Sequence, residues 1–162
     1  FEGGVSALGY ENITHGNVLH YALSLINNLA GCDEPSAIIS AVARAKLQYP
    51  NFTDWGEIEK TLRACVGHSQ ARGFFIVPDG DVYTERDMVD SAGNTKRTDR
   101  LIIEKGCITI VDYKSAHSAS NEYSAQVREY ASIVRLIHPE KTIKGYLLYL
   151  DDIAVEEVIC GM

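Results

Sequence analysis

The feature that most constrains the fold is a change in hydrophobic periodicity near the middle of the 162-residue chain. Up to about residue 70, apolar residues recur at helical spacing, whereas beyond residue 80 they alternate with polar residues as in β-strands. Two short turns, SAGN at 91–94 and EKG at 104–106, separate three of these strand-like segments. The sequence therefore predicts a helical N-terminal half followed by an antiparallel meander of three strands.

Three helices are predicted in the N-terminal half. They cover residues 15–29, 36–49 and 53–68. Gly31 follows the first helix and Pro50 follows the second, and both residue types commonly end helices. The helical half contains few segments with strand-like alternation.

A further helix and strand are predicted after the meander. The helix covers about residues 121–137 and ends before Pro139, and TIKGYLLYL at 142–150 then forms a fourth strand. A strand that returns over a helix joins the sheet in parallel. IAVEEVIC at 153–160 is a candidate fifth strand at the sheet edge. The predicted fold class is α/β (α+β), with a mixed sheet of four to five strands and flanking helices.

Composition indicates a globular protein, with 46% hydrophobic and 23% charged residues. We expect a single domain over residues 1–162, with a helical part at about 13–70 and an α/β core at about 74–160. No apolar run has the roughly 18 residues of a membrane span, and the first residues lack the pattern of a signal peptide, so we expect a cytoplasmic protein with no membrane partner. The chain does not begin with Met, so we expect it to be part of a longer protein.

Cysteine spacing and net charge exclude several classes of site. Cys32, Cys65, Cys107 and Cys160 lie singly, so we expect no zinc site and no iron–sulfur cluster, and four reduced core residues. The net charge of -7 argues against a free-standing protein that binds nucleic acid tightly, since phosphate neutralisation by Lys and Arg dominates that affinity. An acidic site that handles nucleic acid through a metal ion is compatible with this charge.

Three charged residues interrupt the apolar pattern of the strands. Asp99 lies in the second strand, and Asp112 and Lys114 lie in the third. Side chains alternate along a strand, so Asp112 and Lys114 share one face with Ile108 and Ile110. Because the short EKG turn makes the two strands neighbours, the two aspartates can converge near one end of the meander.

Two interpretations of this cluster follow from its chemistry. Two carboxylates about 4 Å apart repel each other and bind a hard divalent cation such as Mg²⁺, and an adjacent lysine can then orient or deprotonate a metal-bound water. The alternative is a structural Asp112–Lys114 ion pair at a strand end, with Asp99 bonded to Arg100 or to a turn. Spacing alone does not decide between them.

The order of several motifs resembles that of a known enzyme superfamily. TDRL, a hydrophobic strand and then IVDYKSA are similar to the D…(D/E)-x-K signature of PD-(D/E)XK nucleases, and the D-Y-K spelling resembles the RecB-like branch. HGNVLH resembles the G-x-x-x-H element of its first helix, and SAQVREY resembles the Q-x-x-x-Y element of the helix after the D-Y-K strand. The chain is most similar to the C-terminal nuclease domain of UvrD-type helicases, over about residues 13–152.

The resemblance implies a restriction-endonuclease-like core and a role for each matched residue. The implied ligands of Mg²⁺, or of Mn²⁺ as a substitute, are the side chains of His20, Asp99 and Asp112 and the carbonyl of Tyr113. Lys114 would be catalytic together with the two aspartates. Gln126 and Tyr130, which share one helix face, would position the DNA backbone or the lysine. Glu85, on the preceding strand, is a candidate outer-shell carboxylate.

The implied activity is Mg²⁺-dependent hydrolysis of DNA phosphodiester bonds by the exonuclease of a helicase–nuclease in double-strand-break repair and recombination. The implied partners are DNA and a helicase motor in the same chain or complex. One departure from the family pattern is His15, because an Arg that contacts phosphate is expected beside Gly16. Two alternatives stay open: a catalytically inactive nuclease-like module that binds a partner or DNA, and a metal-dependent hydrolase of small phosphoesters.

Overall fold

The computed structural model describes residues 7–161, with side chains from residue 15 onward, so residues 1–6 and 162 of the predicted domain lie outside it. In chain order the elements are α1 (Ala7–Ser24), α2 (Glu34–Gln48), α3 (Trp55–Gly67), α4 (Arg72–Phe75), β1 (Gly80–Val89), β2 (Thr95–Glu104), β3 (Cys107–Lys114), α5 (Ser120–Ile137), β4 (Thr142–Tyr149) and β5 (Ala154–Val158). The predicted division into a helical half and a strand-rich half is confirmed.

The five strands form one mixed sheet in the order β1-β2-β3-β4-β5. The first three strands are an antiparallel meander, β4 joins β3 in parallel after the α5 crossover, and β5 pairs antiparallel with β4. The predicted fold class is therefore confirmed, with the D-Y-K strand at the centre of the sheet and the fifth strand at its edge.

Helices cover both faces of the sheet. The larger hydrophobic cluster packs the four N-terminal helices against one face of the sheet. Val111 and Tyr113 of β3 are buried on this face. On the other face Ile108 and Ile110 pack against α5. Burial on both faces explains why the apolar residues of β3 form a nearly continuous run rather than a strict alternation.

The predicted first helix is too long at its C-terminal end, because α1 ends at Ser24 rather than at residue 29. The Asn28 side chain accepts a hydrogen bond from the Val77 amide at 3.0 Å and donates one to the Val77 carbonyl at 2.7 Å. The Leu29 amide donates to the Phe75 carbonyl at 2.8 Å. These tertiary hydrogen bonds replace helical ones while the apolar side chains stay buried.

The four cysteines are free, and their predicted burial is only partly correct. Cys65 is buried in the helical half, whereas Cys107 and Cys160 are partly buried. Cys32 is exposed, because it follows Gly31 in the turn between α1 and α2. The prediction of a core position is therefore wrong for Cys32.

A fully buried arginine joins the two halves of the protein. Arg100 has 0% of its surface exposed. Its Nε donates to the Tyr113 hydroxyl at 2.7 Å, and its terminal nitrogens donate to the carbonyls of Ile26 and, at 3.2 Å, Phe74. The guanidinium carbon also lies 4.6 Å from the centroid of the Phe75 ring. The Arg100 side chain, which belongs to β2, thus donates hydrogen bonds to one backbone carbonyl just after α1 and to another in α4.

None of the ion pairs formed among residues 15–161 includes Arg100. Of the structural alternative, the contact between Asp99 and Arg100 is therefore wrong, whereas the Asp112–Lys114 ion pair is present. Consecutive residues of a strand point to opposite faces, so the guanidinium enters the helical layer, whereas the Asp99 carboxylate lies at the margin of the sheet, 3.8 Å from Nδ1 of His20.

We expect Arg100→Met to lower the free energy of unfolding by about 2–4 kcal/mol, because it leaves buried carbonyls without a donor. The matched control is Arg63→Met, which removes an exposed ion pair with Glu59 on α3 and should lower it by less than about 1 kcal/mol. Urea unfolding followed by circular dichroism measures both. Equal losses for the two variants would contradict the structural role given to Arg100.

Gly145 lets α5 pack directly on β4. A Cβ atom at this position would lie 2.5 Å from Cγ1 of Val127 and 2.7 Å from Sγ of Cys160. Both contacts are too short for carbon or sulfur, so a side chain would push α5 away from the sheet. The position of α5 matters because this helix carries Gln126 and Tyr130.

We expect Gly145→Ala to destabilise the protein by about 1–3 kcal/mol through overpacking. Gly56→Ala in α3 is the control, because a Cβ there meets nothing within 4 Å and alanine favours the helix. Thermal unfolding should give a lower midpoint for the first variant and an unchanged or higher one for the second. A Gly145→Ala midpoint at or above that of the parent would show that α5 does not depend on this close approach.

Candidate active site

Helix α1 approaches the sheet at Gly16 and presents His20 one turn later. A Cβ at Gly16 would lie 3.2 Å from Oγ of Ser115, in the loop after β3. The His20 ring packs edge-on against the Tyr113 ring, with 5.8 Å between centroids, and its Nδ1 lies 3.8 Å from Oδ1 of Asp99. The G-x-x-x-H spacing thus has a physical reason, since a small residue brings the helix close enough for the histidine to reach the strands.

Asp99 links β2 to β3 through its side chain. The backbone register between the two strands runs from Ile103–Ile108 to Arg100–Val111. Beyond the last of these pairs, the Asp99 side chain takes over: its Oδ2 accepts a hydrogen bond from the Tyr113 amide at 2.7 Å. The carboxylate therefore satisfies a β3 amide and is held beside His20.

Asp112 is a buried carboxylate that is paired with the Lys114 ammonium. Only 3% of the residue is exposed, and Nζ of Lys114 lies 2.7 Å from Oδ2. The angle of this contact is poor for a hydrogen bond, and the ammonium is the only polar group among residues 15–161 that compensates this buried oxygen. Burial, and next the Asp99 carboxylate, raise the pKa of Asp112 to about 6, although Lys114 acts in the opposite direction.

Lys114 is held by a chain of neutral groups on α5. Its Nζ donates to Oε1 of Gln126 at 2.8 Å, and Nε2 of Gln126 donates to the Tyr130 hydroxyl at 2.6 Å. Nζ also lies 4.7 Å from the centroid of the Tyr123 ring. Burial, and next the charge of Asp112, raise the pKa of Tyr130 to about 12, so its hydroxyl stays protonated at neutral pH. The predicted residues of β3 and α5 are therefore connected in one network.

Negative charge dominates around His20. Burial alone would lower the pKa of His20, but the hydrogen bond and charge of Asp99, together with the charge of Asp112, outweigh it. The pKa of His20 is therefore raised above its ordinary value of 6.5. The imidazole must be neutral to bind a metal, so metal binding would compete with protons at this position.

A cleft of about 760 Å³ opens beside the two aspartates, between α1 and the β1–β2 hairpin. His20 and Asp99 form part of its wall, and Glu85 lines it from β1. Tyr21 and Tyr49, whose rings meet edge to face at 5.6 Å, line it further from the charges. Two of the candidate metal ligands, His20 and Asp99, therefore face an open cleft that a substrate can enter.

A second group of potential metal ligands was not foreseen in the sequence. His117, Asp151 and Asp152 have ligand atoms that all lie within 4.8 Å of one another, and no other trio in the described part of the chain meets that distance. All three residues are exposed. The ligand atoms of His20, Asp99 and Asp112 do not all lie within 4.8 Å of one another. The parallel strands β3 and β4 end on the same side of the sheet. His117 follows β3 and the two aspartates follow β4, so the predicted parallel pairing could have indicated that they lie close together.

Three other histidines lie away from the Asp99–Asp112 pair. His15 is partly buried against Phe52, with 5.9 Å between ring centroids, and His68 caps the C-terminal end of α3. His117 is exposed in the loop after β3, where its ring stacks on Tyr149 at 3.6 Å. None of these three contacts the Asp99–Asp112 pair in the described structure.

No protein-family model matches the chain, and no curated protein matches it in sequence. Within residues 7–161, no helix is both long and apolar enough to cross a membrane. A functional conclusion therefore depends on the geometry of the site and on the motifs of this sequence.

The raised pKa of Asp112 predicts a pH-dependent stability of the metal-free protein. Its contribution to stability is full below the ordinary pKa of 3.8 and is lost as the pH rises through about 6, because ionisation is harder in the folded state. We expect Asp112→Asn to raise the free energy of unfolding by about 1–3 kcal/mol at pH 7.5, and by much less at pH 4. Urea unfolding in EDTA at both pH values measures this difference.

The control is Asp152→Asn, which should not stabilise the protein at pH 7.5. The hydrogen bond and charge of His117 lower the pKa of Asp152, so its ionised form is the favoured one in the folded state. If Asp112→Asn instead destabilised the metal-free protein at pH 7.5, the Lys114 ion pair would outweigh burial, and Asp112 would be a structural partner.

Proposed function

We propose that the chain is a metal-dependent nuclease domain that hydrolyses DNA phosphodiester bonds. The observation that carries the proposal is the buried Asp112 carboxylate, which lies beside Asp99 and whose Oδ2 meets, among the described residues, only the Lys114 ammonium at 2.7 Å. A structural ion pair alone does not require a second, partly buried carboxylate nearby, since each added charge raises the cost of burial. A divalent cation would relieve the repulsion between the two carboxylates.

The donor set fits Mg²⁺ or Mn²⁺. Asp99 and Asp112 offer carboxylate oxygens, His20 offers an imidazole nitrogen and Tyr113 offers a carbonyl oxygen. This set suits a hard cation that binds mainly oxygen and accepts one nitrogen ligand. Such an ion, when bound, supplies Lewis-acid stabilisation of charge at phosphorus and a more acidic water. The trio at His117 contains no buried carboxylate, because all three of its residues are exposed.

Lys114 and its partners supply the remaining chemistry in this proposal. The ammonium is fixed between Asp112 and Gln126, where it can orient the attacking water or neutralise charge that develops on the phosphoryl oxygens. Gln126 accepts from the lysine through Oε1, so its amide nitrogen must donate to Tyr130. Tyr130 then keeps its own hydroxyl proton for another acceptor, such as a phosphate oxygen.

An extended substrate suits the open cleft better than a small phosphoester, which would need an enclosed pocket. We propose that the substrate is DNA and that the domain acts as an exonuclease beside a helicase motor. The basis for this proposal is that the H, D, D-Y-K and Q-x-x-x-Y elements resemble those of RecB-like nucleases. The net charge of -7 fits a division of labour in which the motor grips the DNA. The cytoplasmic location stays a prediction from the sequence.

The decisive experiment compares Asp112→Ala with Lys114→Ala in calorimetric Mn²⁺ titrations and in single-turnover cleavage of labelled single- and double-stranded DNA. Asp112→Ala should lose metal binding and cleavage together. Lys114→Ala should cleave roughly 10² to 10⁴ times more slowly, because a group that acts in the transition state is lost. Its Mn²⁺ affinity should stay the same or rise, since a neighbouring cation opposes metal binding.

Lys144→Ala is the control, because this lysine is exposed on β4 and lies outside the network. It should cleave and bind Mn²⁺ like the parent. Cleavage by Lys114→Ala at the parent rate would make Lys114 a structural ion-pair partner. Metal binding without cleavage of any DNA would favour the second candidate, an inactive nuclease-like module, for which the preformed Asp112–Lys114 ion pair is the supporting observation.

A further inference from the structure

Arg97 lies on the wall of the cleft, beside two of the candidate metal ligands. It belongs to β2, two residues before Asp99, and both side chains line the cleft. The other ionisable groups of this wall that lie close to them are the Glu85 carboxylate and the His20 imidazole. Arg97 is the single lysine or arginine among the described residues of the cleft wall. A polyanion that enters the cleft meets two carboxylates, and this guanidinium is the group that offsets them.

The β1–β2 hairpin is locally opened next to Arg97. Glu85 has a left-handed φ of +52° and forms no ladder pair with Asp99, although the pairs on both sides of this position are formed. The wall of the cleft at this point therefore consists of side chains rather than of paired backbone. Charges on these side chains decide which ligands can approach.

Two hydrogen bonds fix the Arg97 side chain. Its Nε donates to Oδ1 of Asp87 at 2.7 Å, and its Nη2 donates to Oδ2 of the same carboxylate at 3.3 Å. The two residues are opposite each other in the pairing of β1 with β2. A planar guanidinium held by a carboxylate through two nitrogens keeps one orientation, so less side-chain entropy is lost when a further ligand binds.

The third nitrogen of the guanidinium is left to donate to a ligand. Nη1 of Arg97 lies 3.9 Å from Oε2 of Glu85, which is beyond hydrogen-bond distance. Among residues 15–161 this nitrogen donates no hydrogen bond. The Arg97 side chain is 58% exposed, so an anion in the cleft can reach it.

An ordinary surface ion pair is the alternative explanation for Arg97, and α3 contains one for comparison. Nε and Nη2 of Arg63 donate to Oε1 of Glu59 at 2.9 and 2.7 Å, and the Arg63 side chain is 42% exposed. Arg63 does not line the cleft. The position beside Asp99, rather than the ion pair itself, therefore distinguishes Arg97.

The spacing along β2 matches that of a nucleic-acid backbone. A strand rises about 3.3 Å per residue, so Arg97 and Asp99 are about 6.6 Å apart along β2. Neighbouring phosphates of an extended strand of DNA are separated by a similar distance. A phosphodiester beside Asp99 would therefore bring the next phosphate of the same strand close to the guanidinium.

We propose that Arg97 is the anion-binding residue of the cleft and binds the DNA phosphate next to the scissile one. The inference rests on the proposed function and adds a substrate contact that the motifs do not include. Nη1 donates to a non-bridging phosphate oxygen while Asp87 keeps the guanidinium in place. A contact of this kind fixes the register of the strand relative to Asp99 and carries no base specificity.

The test compares Arg97→Gln, which removes the charge, with Arg97→Lys, which keeps it. Fluorescence anisotropy measures how the whole chain binds a labelled single-stranded oligonucleotide in EDTA, over about 50 to 200 mM salt. Arg97→Gln should bind roughly 10-fold more weakly at the lowest salt, and its slope of log affinity against log salt should be smaller by about 0.7. Arg97→Lys should keep the parent slope and recover part of the affinity, because lysine also releases a counterion.

Arg63→Gln is the matched control, because it makes the same change of charge and breaks a similar ion pair outside the cleft. It should keep the parent slope and bind within about twofold of the parent, as expected for a screened surface charge. A parent-like slope for Arg97→Gln, or equal losses in Arg63→Gln and Arg97→Gln, would overturn the role of Arg97.

Single-turnover cleavage in Mn²⁺ provides a second readout. Arg97→Gln should need roughly 10-fold more protein for half-saturation, with a maximal rate within about threefold of the parent, because the same contact is made before and during the reaction. A lower maximal rate at an unchanged half-saturating concentration would contradict a binding role.

These outcomes separate the inference from the proposed function. If the parent binds and cleaves the oligonucleotide, and Arg97→Gln does so equally well, only the role of Arg97 is wrong. If the parent binds the oligonucleotide without cleaving it, and the slope is smaller for Arg97→Gln, the phosphate contact is supported and the nuclease proposal fails. If the parent neither binds nor cleaves the oligonucleotide, both proposals fail.

Discussion

The hydrogen bond between Arg100 and Tyr113 is the interaction on which the rest of the structure depends. It is buried between the helical half and the sheet, and the same guanidinium binds the carbonyls of Ile26 and Phe74. Within residues 15–161 no carboxylate neutralises it. The charge is stabilised instead by backbone dipoles and an aromatic face, and its geometry is fixed because all three guanidinium nitrogens donate to partners at set positions.

Tyr113 transmits this constraint to the candidate active site. Its hydroxyl is held by Arg100, its amide donates to Asp99, and its ring packs against His20. The three groups therefore keep their relative positions through one residue of β3. The opposite side of the site is ordered through α5, where Gln126 and Tyr130 hold Lys114. Preorganisation of this kind is what a catalytic constellation requires, since small displacements weaken transition-state stabilisation strongly.

Local patterns in the sequence were sufficient to predict most of the fold. Alternating residues and two short turns predicted the meander, and the helix before Pro139 predicted the parallel crossover, because these signals lie within single elements. The end of α1 was not predictable, since Asn28 bonds to Val77, which lies far away in sequence. Tertiary hydrogen bonds there override a helical spacing that continues to Leu29.

The candidate site was predictable only in part, for the same reason. The motifs selected Asp99, Asp112 and Lys114, and strand alternation predicted their convergence. Adjacency in the sequence, however, suggested Arg100 as a partner for Asp99. Adjacent side chains of a strand point to opposite faces, so the two do not meet. The left-handed backbone of Glu85 leaves no trace in residue type, because glutamate is not a turn residue.

The turn at Glu85 also affects how the molecule meets its neighbours. β1 is an edge strand of ten residues, and a long straight edge offers unpaired amides and carbonyls to any other extended chain. Glu85 has a left-handed φ of +52° and forms no pair with Asp99, Val82 and Met88 on either side of it pack on opposite faces of the sheet, and the charged Arg86 and Asp87 follow directly. Bends and charges of this kind hinder edge-to-edge association between sheets. The conformation that brings a carboxylate into the cleft therefore also protects the exposed side of the sheet from aggregation.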